Sequence, residues 1–202
     1  MKIIIVLLMN LLAYNVVAQA DSVLYQSIVE FQKQEDAFYK DKKTPPLSKK
    51  ERKHFTGHKF YPIDLDYVVE AKLELFEKED TVVMATSAGK EKLYTPYAKA
   101  VFEIHDTVCE LIVYQSLSLR KLEEYKDYLF LPFRDLTSGK TSYGGGKYLD
   151  LKISDGDTVV LNFNLAYNPY CAYTTGYSCT IPPKENTLKI GIYAGLMAPE
   201  DH

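Results

Sequence analysis

At about residue 61 the hydrophobic period of the chain changes, and that change constrains the fold more than any other feature. Across residues 69–75 apolar side chains alternate strictly with Glu70, Lys72 and Glu74. This is the pattern of a strand with one face on a core and one in water. Short β runs follow at 81–85, 98–105, 108–115, 128–133, 148–153, 158–164 and 188–193, with Asp155-Gly156-Asp157 as a tight turn. Before the change the period is helical. Leu24, Ile28, Phe31 and Phe38 share a face over residues 22–40, with Asp21 or Ser22 placed to cap it, and Thr44-Pro45-Pro46 ends it. Ser48-Lys49-Lys50-Glu51 reads as the capping box of a short second helix. Seven or eight strands with helices confined to the amino-terminal end predict a mainly β chain. The expected form is an antiparallel β-sandwich or barrel-like domain with one or two N-terminal helices.

The first 18 residues have the layout of a secretory signal. Lys2 precedes an apolar run from Ile3 to Leu12, and small residues at Val16 and Ala18 frame a cleavage point, with Ala18-Gln19-Ala20 as a second frame. The apolar stretch is well short of the roughly 20 residues of a spanning helix. The expected organisation is a signal peptide over 1–18, a helical segment over 19–58 and a β-rich domain over 59–202. The expected location is periplasmic or extracellular, with no membrane span after signal removal.

Composition excludes several classes. The chain is 202 residues, 47% hydrophobic and 25% charged, which rules out a disordered or coiled-coil protein. Its net charge of −3 argues against a nucleic-acid partner. The balance is an average, however. Residues 40–59 hold eight Lys or Arg against Asp41 and Glu51, so the remainder is distinctly acidic. Such a run is read as a solvated helix face.

The three cysteines separate into two kinds. Cys171 and Cys179 bracket a short loop containing Gly176, and in an exported chain the simplest reading is a disulfide. A nucleophilic role is the sharper alternative, but neither has a histidine beside it in sequence. Cys109 shares the parity of Leu111 and Val113. Across a turn at Asp106-Thr107, His105 pairs with Val108 and faces the other way. A zinc site from Cys109, Cys171, Cys179 and His105 would need both faces of one hairpin to converge, so no metal is expected and Cys109 reads as a buried apolar thiol. No nucleophile elbow, phosphate loop or His-Glu-x-x-His motif occurs, and no cofactor is expected. Tyr143-Gly144-Gly145-Gly146-Lys147-Tyr148 opens onto a strand, and its glycines suit positive backbone dihedrals or a close approach.

A series of phrases in the carboxy-terminal half carries a resemblance. They are Phe133-Arg134-Asp135-Leu136-Thr137-Ser138-Gly139, residues 141–150, Asn162-Phe163-Asn164-Leu165-Ala166-Tyr167-Asn168-Pro169-Tyr170-Cys171, Cys179, and Pro182-Pro183-Lys184-Glu185-Asn186. With Tyr61-Pro62-Ile63-Asp64 they span about residues 45–196. The chain resembles the domain-of-unknown-function 1684 family, in which Arg is common where Lys147 and Leu165 stand here. The resemblance implies no activity, but it concentrates attention on Asp135, Tyr143, Asn164, Tyr167, Asn168, Tyr170, Cys171, Cys179, Glu185 and Asn186. Two readings follow. The favoured one is a non-catalytic domain binding a small molecule, glycan or partner through Arg134, Tyr143, Asn164, Tyr167, Asn168, Tyr170 and Asn186. The alternative is a hydrolase-type enzyme with Glu185 or Asp135 as general base and Arg134 or Tyr143 as its electrophilic partner. That alternative needs a cleft where Asp135, Tyr143 and Glu185 meet. Polar turn chemistry uses the same residue types, so a structural role is the standing competitor for each.

Overall fold

The structure, a computed structural model, describes residues 2–43, 46–78 and 80–199, with side chains described from residue 19 onward apart from those gaps. The leader expected over 1–18 lies outside the residues whose side chains are described. Helix α1 runs Lys2–Lys40 without interruption, so neither Asp21 nor Ser22 caps it. Nothing in Val17-Ala18-Gln19-Ala20 breaks helical propensity there. Its buried contacts are Ile28 and Tyr39, while Val23 and Tyr25 are exposed. Helix α2 (Lys49–His54) has the capping box in full: the Glu51 amide donates to Ser48 Oγ at 3.3 Å, and the Ser48 amide to Glu51 Oε2 at 2.8 Å. The lysines of the basic run are exposed, as on a solvated face.

The rest is one antiparallel sheet. Its strands are β1 (Val68–Leu75), β2 (Val82–Ala85), β3 (Glu91–Ile104), β4 (Thr107–Ser116), β5 (Tyr128–Phe133), β6 (Lys147–Lys152) and β7 (Thr158–Asn162). They lie in the order β6-β5-β4-β3-β1-β7, with β2 beside the first part of β3. The sheet curls into a half-barrel. Just past β7, Tyr167 exchanges two backbone hydrogen bonds with Tyr148 of β6, at 2.9 and 3.0 Å, which ties the two ends of the sheet together.

The concave face holds the main core, including Leu73, Phe102, Leu111, Leu131, Phe133 and Phe163. Cys109 is buried in it and unpaired. The β3–β4 turn is one residue earlier than the sequence spacing implies. His105 and Asp106 occupy it with φ of 47° and 59°, and Ile104 pairs with Thr107. Tight hairpins of matching twist demand positive φ at both central residues, and Asp and His accept it better than Thr. Cys109, Leu111 and Val113 still face inward. The run at 188–193 is not a strand. It is an irregular segment that adds Leu188 and Ile192 to the main core, held by the Leu188 amide on Arg134 O (2.8 Å) and the Ile192 amide on Asp135 Oδ1 (3.2 Å).

The convex face carries a second cluster of Met84, Tyr94, Tyr114, Phe130 and Tyr148. A bulge between Pro96 and Ala98 brings Tyr94 into it. Tyr94 faces out, whereas Ala98, Ala100 and Phe102, all of the same parity, face in. One inserted residue reverses the facing of everything beyond it.

Candidate functional site

The loop following β7, residues 167–180, folds back over the convex face and forms with it an open cleft-like cavity of about 310 Å³. Tyr94, Tyr128, Phe130 and Tyr148 come from the sheet, and Tyr167, Tyr170 and Tyr177 from the loop. The loop is closed on itself by the Cys171–Cys179 disulfide. It is also anchored outward: Tyr177 donates to Pro46 O at 3.1 Å, and Thr174 Oγ1 to the Glu51 carboxylate at 2.8 and 2.9 Å. The hydrogen bonds from Ser48, and then that from Thr174, hold the Glu51 carboxyl below its ordinary value.

Most wall hydroxyls are tied to protein groups. Tyr148 donates to Thr180 O, and Tyr94 lies 3.0 Å from Thr180 Oγ1. Tyr128 and Tyr167 both donate to Asp150 Oδ1 at 2.7 Å. With the hydroxyls tethered, the rings of these tyrosines line the walls. Asp150 sits opposite Phe130 in the β5–β6 register and so projects on the cavity side of the sheet. It is exposed to solvent at its rim, yet burial holds its carboxyl above the usual range against the pull of the two hydroxyls. Glu35 of α1 is pushed up as well, by burial first and then by the charges of Asp150 and Asp36. The helix reaches this rim through Phe38 and Tyr39, whose rings lie 6.4 and 6.0 Å from that of Tyr170. Lys92, on β3, lines the other end, and burial lowers its pKa.

A second cavity of about 520 Å³ lies between α2, residues 55–59, Tyr173 and Met197. Beside it His58 is packed among Tyr39, Phe55, Phe60 and Tyr173, with ring centroids 4.3–5.9 Å away. Asp36 Oδ1 accepts from the His58 amide at 2.7 Å and lies 2.8 Å from Nδ1, and Nε2 is buried without a partner. Burial lowers the imidazole pKa more than Asp36 raises it.

The residues singled out in sequence are scattered over several places. Tyr167, Tyr170 and Cys179 line the tyrosine cavity. Tyr143 lies beside it, its hydroxyl 3.4 Å from Cys171 O. Asn164 clamps the chain before β1, accepting from the Asp64 amide at 3.0 Å and donating to Asp64 O at 2.8 Å. Asn168 donates to Tyr173 Oη and Met197 O. Asn186 accepts from the Ile112 amide and donates to Ile112 O and Pro132 O, all within 2.8 Å. Asp135 is buried, taking the Thr137 amide at 2.7 Å and standing 3.5 Å from the buried Lys147 ammonium. Lys147 also donates to Ile192 O and Ala194 O, and burial lowers its pKa against the pull of Asp135. The Arg134 backbone is bonded to Asn186, and Glu185 is exposed with Tyr114 Oη at 3.3 Å. Asp135, Tyr143 and Glu185 line neither cavity.

Tyr128, Tyr94 and Glu35 carry no motif of their own, and Asp150 ends the 141–150 phrase without being singled out in it. One signal for the cavity was present: residues 128–133 are apolar or aromatic without alternation, as in a strand covered on both faces.

Among curated proteins none matches the chain. The family model for proteins of unknown function, DUF1684, matches residues 53–197. A solution NMR structure of an uncharacterised protein from Haloarcula marismortui is similar at 31% identity. The match covers 91% of this chain and 99% of that one, with a TM-score of 0.69. Among the described residues no helix is long and apolar enough to cross a membrane. From the extent of both matches, the chain belongs to the DUF1684 family of proteins of unknown function.

Proposed function

We propose that the protein is an exported binding protein whose tyrosine cavity takes a small molecule or glycan with flat apolar faces. The observation that carries this reading is the pinning of the wall hydroxyls around a cavity of about 310 Å³, with the Asp150 carboxylate held at its edge by two of the lining tyrosines, Tyr128 and Tyr167, where it can orient a ligand. Flat, amphipathic rings around a few convergent polar groups are how such pockets hold small molecules. The Asn residues recruited by motif serve the scaffold of this site instead of its lining. Export is supported by the leader pattern and by the disulfide, which persists in oxidising compartments.

Saturation-transfer NMR with methyl and phenyl glycosides tests the reading. Transfer is expected to wild type and to fall at least tenfold in Leu119→Trp, which fills the rim of the cavity from a short exposed turn. Transfer that Leu119→Trp leaves untouched, in a variant melting like wild type, removes the cavity from the argument. Cell fractionation with intact mass tests export: protein found only in the cytoplasm, with residues 1–18 retained, rejects it.

A further inference from the structure

We propose that the tyrosine cavity selects ligands bearing a single organic ammonium group, seated against Asp150 with its apolar body along the tyrosine rings. This rests on the small-molecule reading of the same cavity and adds the charge of the ligand to it.

Three observations carry the inference. The first is the electrostatic state of Asp150. Its Oδ1 is satisfied by Tyr128 and Tyr167, but neither hydroxyl carries a positive charge to offset the carboxylate. Among the described residues no Lys, Arg or His stands within ion-pair distance of Asp150 or Glu35. Glu35 lies on α1, whose Phe38 and Tyr39 pack against Tyr170, and it feels the Asp150 charge, so a second carboxylate without a counter-ion stands on this side of the loop. An anion or a second carboxylate from a ligand would be repelled there, and a neutral ligand would leave the repulsion in place. A cation relieves it.

The second is the wall itself. The faces of aromatic rings are negative, and an ammonium within about 6 Å of a ring centroid is attracted, most of all where water is excluded. Tyr148 lies between Phe130 and Tyr167, its centroid 4.8 and 5.7 Å from theirs, in edge-to-face arrangements. Tyr170 and Tyr177 meet in the same way at 4.9 Å. Hydroxyl hydrogen bonds hold Tyr148, Tyr167 and Tyr177 of this set in place before any ligand arrives.

The third observation sets the number of charges. Lys92 lines the cavity on β3, three strands from Asp150 on β6. A ligand extending toward that end meets a cation, which disfavours a polyamine and favours a monocation with an apolar or hydrogen-bond-accepting tail.

The test pairs choline with its neutral carbon isostere, 3,3-dimethylbutan-1-ol, measured by chemical-shift titration of the tyrosine ring signals in the full chain. The two probes have the same shape and differ in charge. Choline is expected to bind at least about tenfold more tightly. Asp150→Asn, which keeps an acceptor for both tyrosines, brings the two to near parity. Glu35→Gln lowers choline affinity two- to threefold with no effect on the isostere, and supplies the comparison if Asp150→Asn fails to fold. Equal affinity for the two probes, or binding of neither, overturns the inference. So does a choline preference that survives Asp150→Asn or Leu119→Trp. If glycosides are held in the cavity while choline has no advantage, the binding reading stands and the charge inference alone falls.

Discussion

At the scale of single residues the sheet depends on a few buried polar side chains that complete backbone pairing. Asn186 is the clearest. The β4–β5 register places Ile112 opposite Pro132, and Pro132 has no N–H to give. The Asn186 amide fills that gap, pairing both backbone groups of Ile112 and taking up Pro132 O. Asn186→Leu keeps the volume and orphans three buried backbone groups. At about 1–3 kcal/mol for each unsatisfied group, a loss of about 3 kcal/mol or more is expected by urea denaturation. A loss below 1 kcal/mol means water replaces the amide. Asn186 was picked out in sequence for binding because ligand recognition and backbone satisfaction recruit the same amide. Only knowing which carbonyls lie within reach separates them. The same holds for Asn164 and Asn168.

At the scale of elements, the strands were legible because each carries its own periodicity, and the misjudged parts were those where tertiary contacts override it. The segment 188–193 has strand-like composition, but Ile192 and Ala194 are tied to the Lys147 ammonium and to Asp135, leaving it no strand partner. The β3 bulge was likewise invisible, since one extra residue leaves no trace in a window of alternating residues. The cavity loop is an element held by covalent and side-chain ties. Cys171 and Cys179 are eight positions apart. In the chain-entropy model closure of such a loop contributes about 2–3 kcal/mol. Cys171→Ser with Cys179→Ser is expected to lower global stability by about that much. It should also weaken any ligand held between loop and sheet, read by the same NMR titrations. An unchanged denaturation midpoint means the loop unfolds independently of the sheet.

For the whole molecule, stability depends on pH through groups whose burial opposes their charge. His58 has a folded pKa below its ordinary 6.5, so the unfolded chain binds the proton more readily. Its contribution is therefore complete above about 6.5 and is lost as pH falls below that value. Glu35 and Asp150, held high, act with the opposite sign: their contribution is complete below the ordinary carboxylate range and lost as pH rises through their raised values. His58→Gln isolates the first effect. Urea denaturation at pH 7.5 and 5.5 should show wild type losing more stability than the variant at the lower pH. Equal losses in the two proteins show that His58 gains its proton without resistance from the fold.

Read alone, the sequence determined the mainly β class, the helices at its start, the inward parity of Cys109 and the pairing of Cys171 with Cys179. Each depends on contacts close in the chain: a period of two, a capping box, a short loop between cysteines. The tertiary structure alone decided which of the tyrosines share a cavity and that two of them are bonded to Asp150. That outcome depends on a bulge, on the curl that brings Tyr167 to Tyr148, and on a loop folding back over residues of β3, β5 and β6. Distances through space between β6, the loop and α1 are set by packing of the whole sheet, and no local pattern in the chain encodes them.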